Sequence, residues 1–281
     1  MPRGSNVVDW ITQLWVERTG REVDLTDHQW LDGPIGAADY IGDRWLEEYI
    51  RANSARVDPR AALGLVPDMS VLDGGDFTAD ELSPEVVDFY QRTGHWRLEV
   101  WSRWCSVFRP IGWILSALFA RRLQQLNLPL DPLDASRGMD SQVIALRSTD
   151  GEHLGTAWQR TLRATGSTVF GGFYQTVTLP GRERPSIRVV FPLPNGNLIV
   201  LLRPELAGDG GLRLVSSGGQ FGDEGAYLVV HHGGTVTARR VPVPEEFHVF
   251  LDDEGVLRTD HVMRFYRLEV IRFHYRLEPL T

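Results

Sequence analysis

The chain has 281 residues, enough for one large domain or two modest ones, and at 42% hydrophobic and 23% charged it has the balance of a foldable globular protein. Its formal net charge is −8, so a nucleic-acid partner is excluded as the default reading, because phosphate binding needs a basic surface. All 29 basic residues are arginine, which excludes a Schiff-base lysine, the usual PLP anchor and a P-loop or kinase lysine.

The acidity is uneven. Residues 1–137 carry 14 Arg against 21 Asp and Glu, and residues 138–281 carry 15 against 16. The opening "MPRGSNVVDW" has no apolar h-region, so no signal peptide is expected. Cys105 is the single cysteine and has no internal disulfide partner, which fits a reducing, cytoplasmic setting.

From Asn6 to about Gly94 the pattern is helix and loop. Val7, Ile11, Leu14 and Trp15 recur at helical spacing, with Gly20 as a stop. In "AADYIGDRWLEEYIRAN", Ile41, Trp45 and Tyr49 form a second stripe. Residues 54–82 are rich in Asp, Gly and Pro and read as irregular. "SPEVVDFYQRTG" predicts a short helix, with Ser83 as cap, Pro84 in the first turn and Gly94 at the end.

The stretch "HWRLEVWSRW" reads two ways. As a strand it puts Trp96, Leu98, Val100, Ser102 and Trp104 on one face; as a helix it groups Leu98, Trp101, Trp104 and Cys105. An amphipathic helix is expected near 110–127, entered at Pro110 and forbidden to continue by Pro129 and Pro132. Its apolar run, Ile111 to Ala120, is half of the ~20 residues that cross a bilayer, so no transmembrane segment is expected there. It reads as a plug or lid against the second half.

Residues 138–281 are β throughout. Candidate strands fall near 141–148, 154–164, 167–179, 186–193, 197–204, 211–217, 225–231, 235–241, 246–252, 256–266 and 268–277, separated by turns such as "LPNGN", "HHGG" and "DDEG". The expected fold is therefore α+β: a helical N-terminal region (1–137) packed on a C-terminal antiparallel up-and-down β-barrel (138–281) of about ten strands. Eight of the nine tryptophans precede residue 114, as if the helical half packs against a broad wall.

No metal-binding spacing occurs among the eight histidines, no CxxC is present, and the glycines lie between strands rather than before a helix. No cofactor and no metal are expected. The "SS" of "VSSGGQFG" is not a nucleophile elbow.

The last run, "RTDHVMRFYRLEVIRFHYRLEP", alternates Arg and His with large apolar residues. Read as a continuous strand, one face carries Arg264, Tyr266, Leu268, Val270, Arg272, His274 and Arg276, and the other Met263, Phe265, Arg267, Glu269, Ile271, Phe273, Tyr275 and Leu277. Charged residues outward is the plain reading. Arg and Tyr holding an anionic head group inside a cavity is the sharper one.

A meander of about ten strands with Arg264-Phe265-Tyr266 near its end resembles the calycin group, which includes lipocalins and fatty-acid-binding proteins. Over residues 138–281, the resemblance implies a barrel enclosing an apolar ligand, with the late Arg-x-Tyr meeting a carboxylate.

The expected function is binding of a hydrophobic, anionic or neutral small molecule in a cavity. Arg264, Tyr266 and Arg276 are the polar candidates for that site; Trp158, Tyr174 and Trp113 are the aromatic ones. The same cavity suits a cofactor-independent cyclase or isomerase on a polyketide- or lipid-like substrate, with His261, His274 and Asp260 as acid/base candidates. Peripheral membrane attachment through the 110–127 helix, or a protein-interaction module, is the third class. The residues leave all three open.

Overall fold

The computed structural model describes residues 7–36, 44–59, 64–105, 139–163, 168–216 and 219–280. The expected helix near 110–127, with Trp113, lies outside them. Three α-helices are described: α1 (Val7–Thr19), α2 (Arg44–Ala52) and α3 (Pro84–Gln91). The strands are β1 (Arg21–Glu22), β2 (Arg56–Val57), β3 (Trp96–Trp104), β4 (Met139–Arg147), β5 (His153–Leu162), β6 (Thr168–Thr178) and β7 (Pro185–Leu193). They continue as β8 (Gly196–Leu206), β9 (Leu212–Val215), β10 (Ala226–His232), β11 (Thr235–Val241), β12 (Glu245–Leu251), β13 (Leu257–Phe265) and β14 (Leu268–Pro279). Among the described residues, no helix is long and apolar enough to cross a membrane.

The eleven strands expected after residue 138 are all present, within a few residues of their expected limits. Turn chemistry explains why. Asn195 takes φ 58° in the β7–β8 hairpin, and Gly233 and Gly234 take 59° and 85° between β10 and β11. The stretch 96–104 resolves as a strand.

Among the described residues the sheet does not close into a barrel. All fourteen strands join one antiparallel sheet, but its main path runs β2-β4-β5-β6-β7-β8-β9-β12-β13-β14-β3 and ends on β2 and β3. It forks at β8. Residues 196–200 of β8 pair with β10, while residues 203–206 pair with β9. Leu201 and Gly225 exchange backbone hydrogen bonds of 2.9 and 3.2 Å at the branch. An eleven-residue strand is long enough to serve two neighbours on one edge, so the sheet splits into two leaves that share β8 instead of closing on itself. The first half of the chain contributes sheet as well as helix: β1 pairs with β11, β2 with β4 and β3 with β14.

The leaf that contains β7 and β8 is covered on both faces. Trp30, Leu31, Trp45 and Leu46 from the helical region pack with Phe173, Ile199 and Tyr227 on one side. Leu65, Met69, Phe77, Val86 and Phe89 pack with Ile187, Val189 and Val200 on the other. Two-sided burial is why "SIRVVFPL" is almost unbroken in its apolarity. The stripe expected on α1 is rotated: Ile11 is 54% exposed, and Val16 is the residue buried against Leu193, Leu228 and Val230.

Candidate functional site

Side chains alternate across a strand, and directly paired residues point to the same side. The register carries one inner face through the whole sheet. Trp158 and Arg160 of β5 lie opposite Gly172 and Phe170 of β6; Tyr174 lies opposite Val189 of β7, and Val189 opposite Val200 of β8. In the other leaf, Leu214 of β9 faces Phe247 of β12, which faces His261 of β13, which faces Phe273 of β14. These residues line a cavity of about 310 Å³ between the two leaves, with Leu65, Phe89 and Tyr90 also on its wall.

One irregularity decides which residues of the last hairpin enter it. The chain is not continuous from 260 to 277 but turns at Tyr266-Arg267, with Tyr266 at φ 53°. Phe265 pairs with Leu268 and Arg264 with Glu269, but Met263 then pairs with Ile271, so Val270 is a bulge. One extra residue flips the faces of everything beyond it. Ile271, Phe273, Tyr275 and Leu277 turn inward, and Arg272, His274 and Arg276 turn outward.

The expected site residues are divided accordingly. His261, Arg264, Trp158 and Tyr174 line the cavity. His274 and Asp260 do not: they pair across the strands on the outer face, Nδ1 to Oδ1 at 2.7 Å, beside the exposed Trp101. Arg276 also lies outside, with Glu278 at 2.6 Å. Tyr266 is 66% exposed on the hairpin turn, so the Arg-x-Tyr pattern does not present a pair to the interior. Even Arg264 is half committed outward, donating to Glu246 at 3.2 Å in a run of ion pairs that passes through Arg213 and Glu205 to Arg203. Trp113 lies outside the described residues. His248, His261 and His274 do not converge, and among the described residues no group of three or more His, Cys, Asp or Glu is arranged to hold a metal ion.

Two charged groups that the sequence reading passed over stand on the inner face. Arg160 is only 5% exposed, with its guanidinium carbon 5.3 Å from the centre of the Trp158 ring. Burial holds its pKa below the ordinary arginine value, and the nearby Tyr275 and Tyr174 act the other way. Its signal was available: period two from Trp158 in "TAWQRTL" places Arg160 beside it.

Glu245 is the second. It sits diagonally across β12 and β13 from His261, with Oε2 3.1 Å from Nε2. Ser216 fixes the Glu245 backbone on both sides, its N–H donating to the Glu245 carbonyl at 2.9 Å and its Oγ accepting from the Glu245 N–H at 2.7 Å. The His261 ring stacks on Phe247 with centroids 3.7 Å apart and planes 15° from parallel, and Phe273 tilts over it at 5.2 Å. Its Nδ1 is buried without a hydrogen-bond partner.

Tyrosines join these groups into one cluster. Burial raises Tyr174 well above the ordinary phenol value and pushes Tyr275 up to about 12, and each feels both Arg160 and Glu245. Burial raises Tyr90 too, and Tyr174 feels it. Neutral phenols donate hydrogen bonds at neutral pH. The cavity is thus an apolar chamber with a guanidinium, phenols and a carboxylate–imidazole pair in electrostatic reach of one another.

No protein-family model and no solved structure matches the chain. Among curated proteins, it is similar to the uncharacterized membrane protein YndJ of Bacillus subtilis (strain 168), 28% identical over 246 residues. That match takes in 86% of this chain and 42% of the relative, so the chain spans less than half the length of the protein it resembles.

Proposed function

We propose that the protein binds an apolar, lipid-like small molecule in the cavity between the two leaves, with an oxygen-bearing end of the ligand, anionic or carbonyl, at Arg160. The observation that carries this reading is Arg160 itself, a buried charge on the wall of a chamber otherwise lined by side chains such as Leu198, Val200 and Phe247. A guanidinium presents five donors in a planar fork, and an oxygen acceptor in the cavity is its complement.

The volume favours a ligand as well. About 310 Å³ lies at the lower end of small-molecule sites. An apolar molecule that fits the pocket gains packing contacts along its apolar wall. The mode is calycin-like in using the inner face of an antiparallel sheet, but with Arg160 in place of the late Arg-x-Tyr. YndJ is named a membrane protein, which favours the lipid-like end of the ligand class. A cytoplasmic setting belongs to the same reading and suits the free thiol of Cys105.

Trp158 on the wall provides the test. Decanoate and decanol titrated against the protein should each quench tryptophan fluorescence saturably, decanoate at about tenfold lower concentration, the worth of one charge-assisted hydrogen bond. Arg160→Leu should abolish that preference. No saturable binding of either probe would sink the reading.

A second reading, a cofactor-independent isomerase or cyclase, is favoured by the carboxylate–imidazole pair on the cavity wall.

A further inference from the structure

Among the described residues, the inner wall leaves one buried side-chain polar atom without a partner, Nδ1 of His261. The other ring nitrogen is committed: Nε2 meets the Glu245 carboxylate at 3.1 Å. An ionised carboxylate accepts only, so it selects the tautomer with hydrogen on Nε2 and leaves the lone pair on Nδ1. Phe247 and Phe273 hold the ring plane. The result is an oriented base, 7% exposed, in an apolar chamber. A histidine there for packing alone would leave a buried acceptor unsatisfied.

We propose that His261 is a general base that moves a proton between two carbons of an apolar carbonyl compound bound in the cavity, with Glu245 as its positioning residue. This rests on the binding reading and deepens it by naming the substrate class, β,γ-unsaturated ketones or thioesters of lipid-like chains.

The step balances without a cofactor. The C–H bond between the carbonyl carbon and the double bond breaks, and its proton goes to Nδ1. The electron pair moves into the carbonyl, leaving a dienolate oxygen. Arg160, Tyr174 and Tyr275 are the donors of the chamber for that oxygen, and they line the same cavity as His261 and Glu245. The imidazolium then returns the proton to the γ carbon. The product is the conjugated isomer, and His261 is neutral again. No oxidant, reductant or second substrate takes part.

The test uses the full chain and non-4-en-2-one, a β,γ-unsaturated ketone. Binding is read from tryptophan fluorescence, conjugation from ultraviolet absorbance, and proton transfer from deuterium uptake in D2O. The expected result is saturable conversion that falls about 100-fold or more in His261→Gln while the probe still binds. Glu245→Gln should lower kcat with little change in KM. Binding without conjugation or deuterium uptake would overturn the proposal and leave the binding reading standing, whereas failure of the ketone, decanoate and decanol alike to bind would remove both. A measurement on the unaltered protein guards against variants that do not fold. The ¹⁵N spectrum should show His261 protonated at Nε2 and bare at Nδ1, and the opposite tautomer would refute the assignment.

Discussion

Glu245 and His261 meet at 3.1 Å on the diagonal of the β12–β13 pair, both on the inner face and both nearly out of contact with solvent. Buried pairs of this kind are weak sources of stability, because desolvation offsets most of the attraction. Their removal one at a time is another matter. Glu245→Leu strips His261 of its Nε2 partner while Nδ1 already has none, and should destabilise the protein by about 1–3 kcal/mol. Adding His261→Phe removes the stranded imidazole and should recover most of that loss. Urea denaturation of the two single variants and the double variant measures the coupling. Additive losses with no recovery would mean that the two side chains do not interact.

The cavity makes a prediction of opposite sign to the usual core rule. Ala226 lies on the inner face of β10, opposite Val200, and is 2% exposed. Enlarging a residue in a filled core costs about 1–3 kcal/mol through overpacking. Ala226→Leu here grows into the chamber, so its melting temperature should stay within a few degrees of the parent or rise. Decanoate affinity should fall about tenfold or more. A strongly destabilised variant would show that this part of the wall is already packed.

Much of this arrangement is legible in the residues. Eleven strands follow from alternation and from turns that need positive φ. The fork is not, since whether β8 pairs with β9 or β10 on one edge depends on contacts twenty or more residues away. The site was half legible. His261 and Trp158 stand out as residues, and period two would have added Arg160 from Trp158 and Glu245 from Phe247. The default that charged residues point outward hid both. His274 was misplaced for a different reason: it was chosen against the plain reading with charged residues outward, and the hairpin turn together with the Val270 bulge keeps Ile271, Phe273, Tyr275 and Leu277 on the side of Met263, with His274 on the other. The apolar set Ile271, Phe273, Tyr275 and Leu277 was the available sign of the true inner face.

The outward placement of His274 has a consequence for mutagenesis. His274 and Asp260 form a close pair at 2.7 Å, but they do so on the outside, with side chains 42% and 54% exposed. Exposed pairs contribute about 0–1 kcal/mol. His274→Ala and Asp260→Ala should each leave decanoate binding unchanged within twofold, and should cost no more than that small stability term. A large loss of binding in either would place the pair back at the site and contradict the bulge.

Gly196 tests the fork. It opens β8 opposite Val230 of β10, and a Cβ built there would lie 1.9 Å from the Val229 carbonyl oxygen. That oxygen is backbone and cannot swing aside. Gly196→Ala must therefore push β10 off β8, and should destabilise the chain by more than ~2 kcal/mol, well beyond the effect of the same change at Gly208, an exposed-loop glycine with open space around it. Amide hydrogen exchange should show the loss first along 226–230, the residues that pair with β8. Equal protection in parent and variant would mean that the close approach is absent.

Alkaline pH probes the cluster from the phenol side. Burial pushes Tyr275 up to about 12 and raises Tyr174 and Tyr90 above the ordinary phenol value; Arg160 pulls Tyr275 and Tyr174 the other way, and Glu245 adds to the rise. In the unfolded chain these phenols ionise near 10. Below about pH 10 both states keep the protons, and the stability contribution is fully present. Between about 10 and 12 the unfolded state releases protons that the folded state retains, so stability should fall as pH rises through that window. Tyr275→Phe should make the fall shallower by one proton. Absorbance at about 295 nm from these buried phenols should appear together with loss of the circular dichroism signal, and ionisation of every tyrosine ahead of unfolding would show that the chamber is open to solvent. A phenol must keep its proton to donate to a ligand oxygen. The burial that makes alkaline solution destabilising is therefore the same burial that holds Tyr174 and Tyr275 as donors beside Arg160 at neutral pH.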